Sequence, residues 1–230
     1  MNAKPAFSQP FPFARLVFIA AAAASALVLA MFLIFVLMGI GQDPLQYLHP
    51  PAEYRQILLR NPTVLKLVIG LDNGFIVAYS IVFLAMAGAL RRSAAPRLLL
   101  GAALGLLALS AALDLAENMH FLSMIAAAQS GLDVGASEIG AQVVESLTKF
   151  HVSYVGLLLL GIALPAETAA ERLLCFLLKW VQMPVGVMIY LVPPPFSVGL
   201  VLVRFAFFLT SLLLLASIFR GRGFGSGEPA

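Results

Sequence analysis

Residues 110–121, SAALDLAENMHF, set three polar side chains into an otherwise apolar run. Asp114, Glu117 and Asn118 fall at i, i+3 and i+4, so a helix gathers them on one face, with Ser110 and Phe121 above and below. Two carboxyls beside an amide can exchange a proton, act as general acid and base, or hold a cation. Ionisable groups inside a membrane span are costly, roughly 2.5–3.5 kcal/mol each at the helix centre on insertion scales, so these groups need partners.

Other apolar runs supply them. The second carries Asp72 and Asn73, with Tyr79 and Ser80 about two turns on, and Lys66 recurs with Asn73 and Ser80 every seven residues. The fourth carries Gln142, Glu145, Ser146, Lys149, Ser153 and Gly156 as one stripe. Tyr190 lies in the fifth and Arg204 in the sixth. Counted from the arginine-rich ends, Asp72, Asp114, Lys149, Tyr190 and Arg204 fall at a common height, roughly 24–29 Å in, which is the far half of a ~30 Å hydrocarbon core. His120 and His151 sit off these faces and are poor members of the same site. The candidate binding and proton-coupling residues are therefore Asp72, Asn73, Asp114, Glu117, Asn118, Glu145, Lys149, Arg204 and Tyr190.

Four acids (Asp72, Asp114, Glu117, Glu145) face two bases (Lys149, Arg204) in this layer. In low dielectric such a surplus is relieved by protonating a carboxyl or binding a cation. Zinc favours His and Cys, and off-face histidines with the single Cys175 argue against it. A hard cation on Asp72, Asp114 and Glu117, or a haem between His120 and His151, is a weaker reading, so no metal is assigned and the cofactor stays unknown. The lone cysteine excludes an internal disulfide.

The elements that must position these residues follow from hydropathy. Hydrophobic residues make up 61% and charged ones 11%, against about 25% charged in soluble domains, so the chain belongs in a lipid bilayer. Apolar runs over 17–40, 63–90, 98–128, 137–164, 172–192 and 196–219 predict an all-α, polytopic bundle of six transmembrane helices. The first is too long for a signal peptide and is read as uncleaved. Pro50-Pro51 followed by AEYRQILLRNP predicts a short interfacial helix in the first external loop, with Tyr54, Ile57 and Leu58 facing lipid. Ser137 is a candidate cap for the fourth helix, and Pro184 predicts a kink in the fifth. Pro165 stops the fourth helix and Pro193–Pro195 makes a tight turn. Residues 1–222 form a single membrane domain, and 223–230 a flexible tail.

Lys4, Arg15, Arg91, Arg92, Arg97, Arg172, Arg220 and Arg222 fall on the termini and even-numbered connections. Both termini are then cytoplasmic, and the Ala/Leu/Gly-rich composition suits a bacterial inner membrane. No basic patch interleaved with aromatics is present, so nucleic acid is not a partner; a small polar solute or cation, the bilayer and other membrane proteins are the candidates. The layer reads first as a site that binds or transports a small polar solute or ion with proton or cation coupling. An intramembrane enzyme acting on a lipid or lipid-linked substrate through its carboxylates is the alternative from another class. An accessory subunit whose salt-bridge layer only fixes helix register is the structural alternative.

Overall fold

The computed structural model describes residues 12–90, 96–164, 166–192 and 196–223. The arginine pair Arg91–Arg92, the stop at Pro165, the Pro193–Pro195 turn and the tail from 224 onward lie outside the described residues. Among the described residues eight α-helices run in order: α1 Pro12–Met38, α2 Pro51–Leu59, α3 Pro62–Leu90, α4 Arg97–Gln129, α5 Ala136–Ala163, α6 Ala169–Phe176, α7 Gln182–Leu191 and α8 Phe196–Gly223. Six helical segments are long and apolar enough to cross a membrane: α1, α3, α4, α5, the α6–α7 unit and α8. The protein is an all-α, multi-pass membrane protein, as the hydropathy predicts.

Two local features shape the fifth span. Thr168 and Glu171 form a capping box at the start of α6, where Glu171 accepts from the Thr168 backbone N–H and the Thr168 hydroxyl accepts in return from that of Glu171. A π-helical turn over Leu177–Val181 then joins α6 to α7, immediately ahead of Pro184. A proline ring clashes with the carbonyl four residues before it, and the widened turn absorbs that conflict. The kink expected at Pro184 is thus taken up just before it.

Packing closes the six spans into a ring in chain order. α1 packs on α3, α3 on α4, α4 on α5, α5 on the fifth span, the fifth on α8, and α8 back on α1. At the end near the termini all six contribute to one apolar core, which includes Val17, Met86, Leu107, Leu160, Leu178 and Phe219. At the other end the first connection, with its 3-10 turn Asp43–Gln46 and α2, sits on α3, α4 and α5. Tyr54 and Leu58 are fully buried there, against the expectation that they face lipid. The reason is the Tyr54 hydroxyl, which finds partners inside the protein, 3.1 Å from both the Leu45 carbonyl and Gln142 Oε1. Ser137 is not a cap either: α5 begins at Ala136 after Gly135, and no side chain caps it.

Gly156 lets α5 close on α4. A Cβ at that position would sit 2.9 Å from Leu107 Cγ and 3.3 Å from the Ala103 carbonyl oxygen. Gly156→Val is expected to cost about 1–3 kcal/mol by forcing this seam apart. Gly140→Ala, where nothing lies within 4 Å, should be neutral or gain up to about 1 kcal/mol in helix propensity. Unfolding of both variants in detergent micelles checks the contrast.

Candidate functional site

Lys149 of α5 is the hub. Its ammonium reaches across to α4, donating to Asp114 Oδ1 at 2.7 Å and to Glu117 Oε2. Glu117 is fully buried, and its second oxygen accepts from the Ser146 hydroxyl and, at 3.3 Å, from Gln142 Nε2. Asp114 accepts on its other oxygen from the Tyr79 hydroxyl of α3, at 2.9 Å. Each of these two carboxylates therefore has both oxygens occupied. Spacing explains the arrangement: Gln142, Ser146 and Lys149 recur at i, i+4 and i+7 on the buried face of α5, opposite the i, i+3 pair of α4.

One residue beyond Glu117, Asn118 is fully buried and bonded at both ends of its amide. Its amide nitrogen donates to Asp72 Oδ2 at 2.8 Å and Asn73 Oδ1 at 2.9 Å, while its oxygen accepts from Gln42 Nε2 at 2.9 Å. Asp72 differs from the other two acids. It is 8% exposed, receives that one hydrogen bond, and forms no ion pair among the described residues.

Arg204 of α8 pairs with Asp43 in the first connection, Nη2 to Oδ1 at 2.8 Å. Its Nη1 is buried with no hydrogen-bond partner among the described residues. Phe150 links the two bases, its ring centroid 4.6 Å from Lys149 Nζ and 4.5 Å from Arg204 Cζ. Beside this network lies a cavity of about 190 Å³. Asp72, Asp114, Lys149 and Arg204 line it, Phe75, Phe205 and Phe208 form apolar wall, and Gln42 and Asp43 close it on the side of the first connection.

Of the sequence-derived candidates, Asp72, Asn73, Asp114, Glu117, Asn118 and Lys149 meet in one hydrogen-bonded network, and Arg204 joins them at the cavity. Glu145 does not. One residue before Ser146, it is turned about 100° away round the helix and bonds His120 Nδ1 at 2.9 Å, at the half-exposed edge of the α4–α5 seam. Tyr190 is not on the cavity wall; its ring stacks on His151 at 6.2 Å, and its hydroxyl is buried without a partner among the described residues. Lys66 is exposed and bonds Gln129 at 2.7 Å, away from the layer.

Gln42, Asp43, Tyr154 and Gln182 were the residues sequence reasoning passed over. Gln42 and Asp43 lie in a connection without periodicity, although an Asp-Pro step just past a span is the signal that was there to read. Tyr54, outside the spans, has its phenol pushed up by burial, with Glu117 and Glu138 adding to the shift, so it stays a neutral donor. Tyr47, in the same connection, is likewise raised by burial. Among the described residues, no group of three or more His, Cys, Asp and Glu side chains is arranged to hold a metal ion.

Removing the hub should expose its energetics. Lys149→Met leaves Asp114 and Glu117 buried without a counter-charge, and a loss of about 3–5 kcal/mol in unfolding free energy is expected. Adding Asp114→Asn and Glu117→Gln to the same chain should recover a large part of it, read from detergent unfolding of the single and triple variants. Compared with protein families, curated proteins and solved structures, the chain matches none, and the chemistry of the site is read from its own side chains.

Proposed function

We propose that this membrane protein binds a small polar solute or ion in the central cavity and moves it across the bilayer coupled to a proton or cation at Asp72. The observation that carries the proposal is the Asp72 carboxylate itself: on the cavity wall, nearly buried, and in no ion pair among the described residues, since Lys149 bonds Asp114 and Glu117 instead. An uncompensated charge at this depth is met by a proton or by a cation brought in from outside. Asp114 and Glu117, already shared with Lys149, set the negative field around it.

Size favours a small solute over a lipid. Pockets for drug-sized ligands run to about 300–1,000 Å³, and this cavity holds about 190 Å³. Access is argued from the two ends. The terminal end is filled by apolar side chains from all six spans, whereas the other end is covered by the first connection, anchored by Tyr54 and Leu58 and bonded at the cavity through Gln42 to Asn118 and Asp43 to Arg204. That connection acts as the gate. Lys and Arg bias supports cytoplasmic termini, and the Ala/Leu/Gly-rich composition a bacterial inner membrane, so the gate faces outward. Coupling to other membrane proteins is not required by this reading.

Proteoliposomes provide the test. A panel of labelled amino acids, amines, monocarboxylates and sugars is offered with and without an inward pH gradient. At least one class is expected to accumulate with the gradient, and Asp72→Asn should abolish that component while the variant elutes and melts like the parent. Uptake of nothing on the panel, with Asp72→Asn changing only the melting temperature, overturns the proposal in favour of a structural role. Turnover of a bilayer lipid in detergent without any gradient overturns it in favour of an enzyme.

A further inference from the structure

We infer that the ligand of this cavity is a small zwitterion, an ammonium and a carboxylate carried on one short apolar frame. The inference rests on the solute-binding reading above and names its substrate class. Three donor groups on the cavity wall carry it. Tyr154 is 4% exposed and Gln182 is 2% exposed, yet the Tyr154 hydroxyl, Gln182 Nε2 and Arg204 Nη1 are all buried without a hydrogen-bond partner among the described residues. Buried polar groups are nearly always paired; the Tyr154 hydroxyl lies against the Arg204 guanidinium and leaves its own proton unplaced, so these donors, all on cavity-lining residues, are met by an acceptor brought into the cavity. A carboxylate, with two oxygens and about four lone-pair sites, answers all three.

Tyr154 is held in place by the fold. Its ring lies directly over Gly186 of α7, where any Cβ would collide with the phenol. On its other side it stacks on Phe150, centroids 6.2 Å apart. Phe150 in turn carries both Lys149 and Arg204, so the two bases share one aromatic ring on the cavity wall.

Charge then selects the second half of the ligand. Asp43 already neutralises Arg204, while Asp72, Asp114 and Glu117 face Lys149 alone. A bare carboxylate would add another negative charge to a net-acidic cavity. A bare amine would suit Asp72 and leave the three donors unmet. A zwitterion satisfies both poles and leaves the total unchanged. The volume fits about six waters at ~30 Å³ each, the size of a small amino acid, and Phe75, Phe205 and Phe208 favour an apolar frame over a polar one.

The full-length protein in nanodiscs is titrated by calorimetry with three probes of one carbon skeleton: L-leucine, 3-methylbutylamine and 4-methylpentanoate. Leucine is expected to bind, with the amine and the acid each at least about tenfold weaker, as for a site that rejects analogues lacking a group it hydrogen-bonds. Tyr154→Phe and Gln182→Leu should each weaken leucine several-fold and leave the amine unchanged, whereas Asp72→Asn should weaken leucine and the amine together. Both Tyr154→Phe and Gln182→Leu keep side-chain size, so folded, monodisperse protein is available for the comparison. An amine that binds as tightly as leucine, or a Tyr154→Phe effect shared equally by both, overturns the zwitterion while leaving Asp72 as a cation site. Failure of all three probes, with gradient-driven uptake of another solute class intact, overturns this inference alone; failure of all three with no uptake of anything removes the solute-binding reading as well.

Discussion

A lysine held between two carboxylates inside a membrane is the constraint around which the rest is arranged. Lys149 cannot be left unpaired at that depth, and neither can Asp114 or Glu117. Mutual attraction alone does not repay the desolvation of three ions; the remaining lone pairs and protons have to be occupied as well. Ser146 and Gln142 do this for Glu117, Tyr79 does it for Asp114, and Tyr54 reaches in from α2 to orient Gln142. The seam between α4 and α5 is consequently fixed in register by polar contacts at one level and by the Gly156–Leu107 approach further along.

Closing six spans into a ring follows from the same need. A polar layer contributed by several helices must face inward, and a ring in chain order lets each span present one face to the centre and the other to lipid. The interior is not uniform. Apolar side chains from all six spans fill the end near the termini, and the cavity occupies the level where charges interrupt them. Above it the first connection replaces bulk solvent with specific bonds, Gln42 to Asn118 and Asp43 to Arg204. The two ends of the cavity are therefore closed differently, one by apolar side chains of all six spans and the other by a connection that combines these bonds with the packing of Leu45, Tyr54 and Leu58.

The spans, their number and the α4 face were legible in the sequence because hydropathy and the 3.6-residue period report them directly. Lys149 was legible for the same reason, as were Asp72 and Asn118. Glu145 was not, since a stripe two to three residues wide includes neighbours about 100° apart, and only packing decided that Ser146 points inward while Glu145 meets His120. Height alone brought in Tyr190, which shares the level but not the cavity. The first connection was read backwards: an amphipathic helix looks the same from sequence whether its apolar face meets lipid or protein, and the buried partners of Tyr54 lie about nine and eighty-eight residues away along the chain.

One coincidence of that reading has physical content. Glu145 leaves the layer and Asp43 enters it, so four acids still face two bases. The two surplus charges are not equivalent, however. One is spread over Asp114 and Glu117, where Lys149 and three further donors already occupy every carboxylate oxygen. The other sits on Asp72, which has a single amide donor and a face on the cavity. A proton or an incoming cation gains little at the first, because it would displace bonds already made. At the second it would complete a group that the protein itself leaves incomplete, so the proposed coupling falls to α3 rather than to the more conspicuous acidic face of α4.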